Sequence, residues 1–151
     1  MGFSVSGSFA IIAVGTFIAV GMFYGAASNG TEIVTESQQA AFDDRLEQQN
    51  TDINITGAEY NTSLATNTLV LDIKNTGATA LSVSQTDYIV DNAFISHASV
   101  SAESVDGDTA TDLWLPGETL HVEITEGTLG TAPDRVHIVT GPGVADARGV
   151  S

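Results

Sequence analysis

The sequence predicts a chain that is α+β by order and mainly β: one long amino-terminal helix, then a β-sandwich. Three observations predict it. Ser8 to Ala27 is apolar or small throughout, and residues 1–31 contain no Asp, Glu, Lys or Arg. From Asn50 onward, apolar residues recur at every second position in short runs bounded by turn residues. All the charge, 19 acidic side chains against four basic ones, lies after Thr31 and sums to −15.

The apolar run comes first. Roughly 20 residues at about 1.5 Å rise match a hydrocarbon core of ~30 Å. Ser8–Ala27 therefore reads as a membrane helix, marked by Ser8, Ile12, Gly21, Tyr24 and Gly25. Gly21 and Gly25 form a GxxxG pair, a spacing that lets helices approach closely in lipid and is also ordinary in membrane helices. Tyr24 stands at the distal end, where aromatic rings favour the interface. Ala26-Ala27-Ser28 offers small residues for cleavage. The stretch is nevertheless longer than a signal-peptide core and has no basic segment before it, so a retained anchor is expected.

Ser28–Gln49 continues as a polar rod with a thin apolar stripe of Val34, Phe42 and Leu46, and a kink is expected at Asn29-Gly30. Ser8–Gln49 as one helix would be about 60 Å long. The expected organisation is a short segment 1–7, a helix and rod over 8–49, a β domain over 50–140 and a flexible Gly-rich tail over 141–151.

In the β part, Ile53 and Ile55 alternate with polar residues, Gly57 is placed for a bulge, and Ala58 and Tyr60 continue in the other phase. Leu69, Leu71 and Ile73 alternate before the turn Asn75-Thr76-Gly77. Further runs are Leu81–Val83, Tyr88–Val90, Ala93–Ile95, Leu113–Leu115, Leu120–Ile124 and Val136–Val139. Asp91-Asn92, Asp106-Gly107-Asp108 and Pro116-Gly117 punctuate them. About seven short strands with turn signals every 8–12 residues predict an immunoglobulin-like sandwich. Tyr60, Tyr88, Phe94 and Trp114 are its candidate core aromatics.

Composition excludes several chemistries. The chain has no Cys, which removes disulfides, zinc thiolates and thiol catalysis. A surplus of acid spread along the chain leaves no basic patch for nucleic acid or anionic lipid headgroups. The same surplus suits high salt, where screening removes self-repulsion. His97, His121 and His137 lack metal-ligand spacing and read as solvated. Asp106, Asp108 and Asp112 alternate in a loop as calcium ligands can, but the EF-hand pattern fails, so a solvated acidic loop is the commoner reading. Gly-x-Ser-x-Gly is absent, and Gly141-Pro142-Gly143 has neither the Lys nor the helix of a phosphate loop. No enzyme activity, cofactor or small-molecule substrate is expected. Asn29, Asn54 and Asn61 each head an N-x-[ST] sequon, usable only outside the cytoplasm.

Met1-Gly2-Phe3-Ser4-Val5-Ser6-Gly7-Ser8, the apolar run, and Asp44-Arg45-Leu46-Glu47-Gln48-Gln49-Asn50-Thr51 leading into a sandwich resemble the archaellum protein F family (FlaF, also ArlF) of haloarchaea. Asp106-Gly107-Asp108 through Asp112-Leu113-Trp114-Leu115-Pro116-Gly117-Glu118 looks like a later signature of that group. The resemblance implies a single-pass, membrane-anchored, stator-like component of the archaeal motility motor. It implies an extracellular sandwich between membrane and surface layer, with surface-layer protein, the related G protein and the chain itself as partners. The amino-terminal helix is similar to that of type IV pilins and archaellins, and the alternative expectation is therefore a filament or minor pilin subunit. In those families a basic residue and Gly precede the cleavage point; here neither Gly2 nor Gly7 has a basic residue before it.

Overall fold

The computed structural model describes residues 3–62 and 66–151. Met1 and Gly2 of the expected leading segment, and Ser63 of the third sequon, lie outside them. The chain divides into two compact units, Met1–Asp43 and Asp44–Ser151.

Helix α1 (Phe3–Asn50) makes up the described part of the first unit, and its last turns belong to the second. It contains no proline, and it is long and apolar enough to cross a membrane. Hydroxyls along it bond back to the preceding turn: Thr16 to the Ile12 carbonyl at 2.9 Å and Thr35 to that of Thr31 at 2.9 Å. Such back-bonding lets a polar side chain sit in a helix without an unpaired group. At Asn29-Gly30, where a kink is expected, the helical assignment is unbroken. The helix runs through, and Thr31 Oγ1 donates to the carbonyls of Ala27 and Ser28 at 3.0 and 2.8 Å.

The second unit is a two-sheet sandwich. Its strands are β1 (Ile53–Asn61), β2 (Thr68–Asn75), β3 (Leu81–Ser82), β4 (Asp87–Val90), β5 (Ala93–Ile95), β6 (Ala102–Val105), β7 (Leu113–Trp114), β8 (Thr119–Thr125), β9 (Arg135–Val139) and β10 (Ala145–Gly149). A four-residue helix, α2 (Glu126–Leu129), follows β8. One sheet has the order β1-β2-β8-β6 and the other β10-β9-β4-β5, all antiparallel; β3 and β7 form a small pair. The bulge expected at Gly57 is present, as a register shift between Ile55 and Gly57 opposite Asp72. Asp91 and Asn92, with φ of 49° and 67°, make the tight β4–β5 turn.

The alternating residues of both sheets meet inside. Ile55, Leu69, Leu71, Ile73, Leu120, Val122 and Ile124 from the first sheet face Tyr88, Val90, Val136 and Ile138 from the second. Trp114 is fully buried among them, and Tyr60 packs partly buried at the margin. Phe94 corrects an expectation. It stands 62% exposed, because β5 pairs it with Ile89 in the outward phase and gives the inward place to Ile95.

Two further expectations are corrected. Ten strands form among the described residues where about seven were expected; β6 and β10 are the strands with no run of alternating apolar residues to announce them. Most of the tail expected to be flexible is ordered: β10 pairs with β9 from Ala145↔Val139 to Gly149↔Arg135. Backbone pairing, not an apolar pattern, holds it.

Candidate functional site

The end of α1 and the sandwich that follows it, all within the second unit, are joined by a set of backbone contacts. The joint is built by the β2–β3 turn. The Asn50 carbonyl, at the end of α1, accepts from Ala78 N at 2.7 Å and Thr79 N at 3.2 Å. The Asp52 carbonyl accepts from Thr76 N and Gly77 N at 3.0 and 2.9 Å, and its carboxylate accepts from Thr76 Oγ1 at 2.7 Å. Helix ends leave carbonyls unpaired, and here the sandwich supplies the missing donors. Gly77 is required by proximity. A Cβ there would lie 2.5 Å from Asp52 N and 2.6 Å from the Asn50 carbonyl oxygen.

Asn75 braces this turn from inside. It is fully buried, donates to the carbonyls of Thr79 (2.9 Å) and Trp114 (3.2 Å), and accepts from Gly77 N (3.1 Å). The Trp114 indole in turn donates to the Glu118 carbonyl at 3.0 Å. Asn75-Thr76-Gly77 is visible in the sequence as a turn. Its long-range side-chain partners, Asp52 and Trp114, lie 24 and 39 residues away and carry no local signal, so the joint itself is not.

At the opposite edge, β10 and the residues after it close the side of the sandwich. Ile55 N donates to Asp146 Oδ2 at 2.8 Å, and Arg148 donates to the Ile55 carbonyl. Tyr60 N donates to the Ser151 carbonyl at 3.0 Å, and Ser151 N to that of Ala58 at 3.1 Å. The free edge of β1 is thereby occupied, which blocks pairing with another chain there.

The residues singled out from sequence are placed as follows. Ser8, Ile12, Gly21, Tyr24 and Gly25 all lie exposed on α1. Asn29 is exposed on α1, Asn54 is exposed on β1, and Asn61 is exposed at its end. The loop carboxylates do not converge. Asp106 accepts from Thr119 N (3.0 Å), Asp108 from Ala110 N (2.8 Å), and Asp112 from Ser84 N and Ser82 Oγ (both 2.7 Å). Those bonds, the one to Ser84 N foremost, hold the Asp112 carboxyl below its ordinary pKa. No group of three metal-ligating side chains forms among the described residues.

Two histidines read as solvated are in fact paired. His97 Nδ1 lies 2.8 Å from Glu103 and its Nε2 2.9 Å from the Thr86 carbonyl, against the ring of Tyr88. His121 Nδ1 lies 2.7 Å from Asp72 and its Nε2 3.4 Å from Glu123. The bond to Asp72 raises the His121 pKa. Burial raises that of Tyr88, with the Glu103 charge adding to it. His97 and Glu103 line a pocket with Ser84, Ser104, Thr111 and Asp112.

The features define a class: a β-sandwich carried on one long helix able to span a membrane. Residues 2–146 match the model of the archaeal-type flagellin family, so the chain belongs to that family and is an archaellum protein. Similar solved structures include the archaellum periplasmic stator protein FlaG from Sulfolobus acidocaldarius, at 20% identity, covering 65% of this chain and 97% of that one, with a TM-score of 0.43. The archaellum periplasmic stator protein complex of FlaF and FlaG from the same organism is similar at 19% identity, 63% and 89% coverage, and a TM-score of 0.39. No curated protein sequence matches the chain.

Proposed function

We propose that the chain is a static, membrane-anchored element of the archaellum of the FlaF type. In this reading α1 holds the bilayer with the sandwich outside, and the sandwich grips surface-layer protein between membrane and lattice. A related G-type stator protein is its companion. A rotating filament needs a fixed reaction point, and a fixed point must pass force from its grip to its anchor. The observation that carries the reading is the joint. Four backbone hydrogen bonds and one side-chain bond fasten Asn50, at the end of α1, and Asp52 to the β2–β3 turn. The charge of −15 fits a site bathed in concentrated salt. The stator proteins from Sulfolobus acidocaldarius lend the proposal a precedent in name.

The test is capture of surface-layer protein by the full chain, purified from membranes in high salt. Retention of that protein, together with loss of swimming on gene deletion, is the expected result. Normal swimming without the gene would sink the reading. A second reading, a filament or minor pilin subunit, is favoured by one observation: the matching family model describes archaeal-type flagellin. Intact-mass measurement of the amino terminus separates the two. A start at Met1 or Gly2 supports the anchor, and a start within residues 7–9 supports filament assembly.

A further inference from the structure

Asn29, Asn54 and Asn61 head N-x-[ST] sequons, and neither the anchor nor the joint uses them. The fold sets two of them apart. Asn54 and Thr56 lie two residues apart on β1, and both are exposed while Ile53 and Ile55 are buried. In a strand, residues i and i+2 stand on one face, about 7 Å apart. The carboxamide and the hydroxyl of this sequon therefore share one outward surface. The Asn54 carboxamide makes no hydrogen bond among the described residues. Its neighbours across the row are Lys74 and Thr119, one flexible and one small. Thr56 is the extra residue of the bulge between Ile55 and Gly57, and its Oγ1 donates to the Asp72 carbonyl at 3.0 Å. A bulge leaves its extra residue outside the ladder, so no strand pairing is lost when this hydroxyl is drawn to an enzyme.

Asn29 and Thr31 lie on α1. At about 100° per residue their side chains point roughly 200° apart around the helix. Thr31 Oγ1 is already committed, donating to the Ala27 and Ser28 carbonyls. Asn29 also stands only about 3 Å along the axis beyond the apolar run, within a headgroup layer roughly 5–8 Å thick. The hydroxyl residue of the third sequon, Ser63, lies outside the described residues.

We propose that Asn54 is an N-glycosylation site and that Asn29 is not. The chemistry is transfer of a sugar chain from a polyprenyl-phosphate-linked donor. A bond forms between Asn54 Nδ2 and the anomeric carbon, and the bond from that carbon to the donor's phosphate oxygen breaks. The lipid phosphate leaves with the electron pair, and one amide proton passes to solvent. The product fits the folded domain without rearrangement, since the sugar projects from the outward face of β1, four residues past the end of α1. The inference rests on the sandwich lying outside the membrane, the orientation of the proposed function, because sequons are used only there.

Cleavage after Glu separates the three sequons: Asn29 falls in residues 1–32, Asn54 in 48–59 and Asn61 in 60–103. The full chain is purified from native membranes and the fragments are read by mass spectrometry. Fragment 48–59 is expected to carry a mass increment that sheds sugar units on collision, and fragment 1–32 to carry none. Thr56→Val is expected to remove the increment and Thr56→Ser to keep it. In parallel, intact cells are treated with a membrane-impermeant amine reagent, read at Lys74, the single lysine. A bare 48–59 fragment with Lys74 labelled overturns the glycan and leaves the orientation standing, whereas a bare fragment with Lys74 unlabelled overturns both. Sugar on fragment 1–32, or an increment on 48–59 that survives Thr56→Val, also overturns the proposal.

Discussion

Asn75 shows how one polar side chain holds a turn. Its amide bonds three backbone groups in a site closed to water. Asn75→Ala would leave the Trp114 and Thr79 carbonyls and the Gly77 amide to find new partners, at a cost of about 2 kcal/mol in unfolding free energy, measurable by denaturant titration. His121 acts differently. Asp72 raises its pKa in the folded state above the unfolded value of about 6.5. The contribution is therefore complete below that unfolded value and lost as pH rises through the folded one. The side chain is 37% exposed, so the gain is small. Thermal melts are expected to show wild type above His121→Gln at pH 5.5, with the gap closing by pH 8.5. An unchanged gap would mean that the ring acts only by packing.

At the scale of elements, the joint and β10 are the parts that local pattern does not reveal. The uncharged run made α1 legible, and strict alternation made β1, β2, β8 and β9 legible, because burial imposes those periods directly. Ala145-Asp146-Ala147-Arg148-Gly149 has no such pattern. It is a strand because its backbone pairs with β9 and because Asp146 and Arg148 hold Ile55, 91 and 93 residues away. Phe94 faces outward against expectation for a related reason: an apolar residue in a three-residue strand has no period to set its face. Replacing both Asp146 and Arg148 by Ala is expected to speed amide hydrogen exchange at Ile55 while leaving Leu71 in β2 protected. Gly77→Ala is expected to destabilise the domain by ~1–3 kcal/mol, since its Cβ meets backbone rather than a movable side chain. A melting temperature unchanged by Gly77→Ala would show that the joint is looser than its hydrogen bonds imply.

For the molecule as a whole, charge and order of parts set the behaviour. Nineteen acids against four bases repel within a domain of this size at low ionic strength. Melting temperature is therefore expected to climb with salt across the range where the Debye length falls from about 10 Å to about 3 Å. The central claim is that the chain stays fixed in the envelope while the filament turns. Quantitative mass spectrometry of sheared filaments and of the remaining envelopes, from the same cells, tests it most directly. The account predicts the chain in the envelope fraction, in small numbers relative to filament subunits and with its amino-terminal helix intact. Recovery in the filaments at subunit stoichiometry would contradict it.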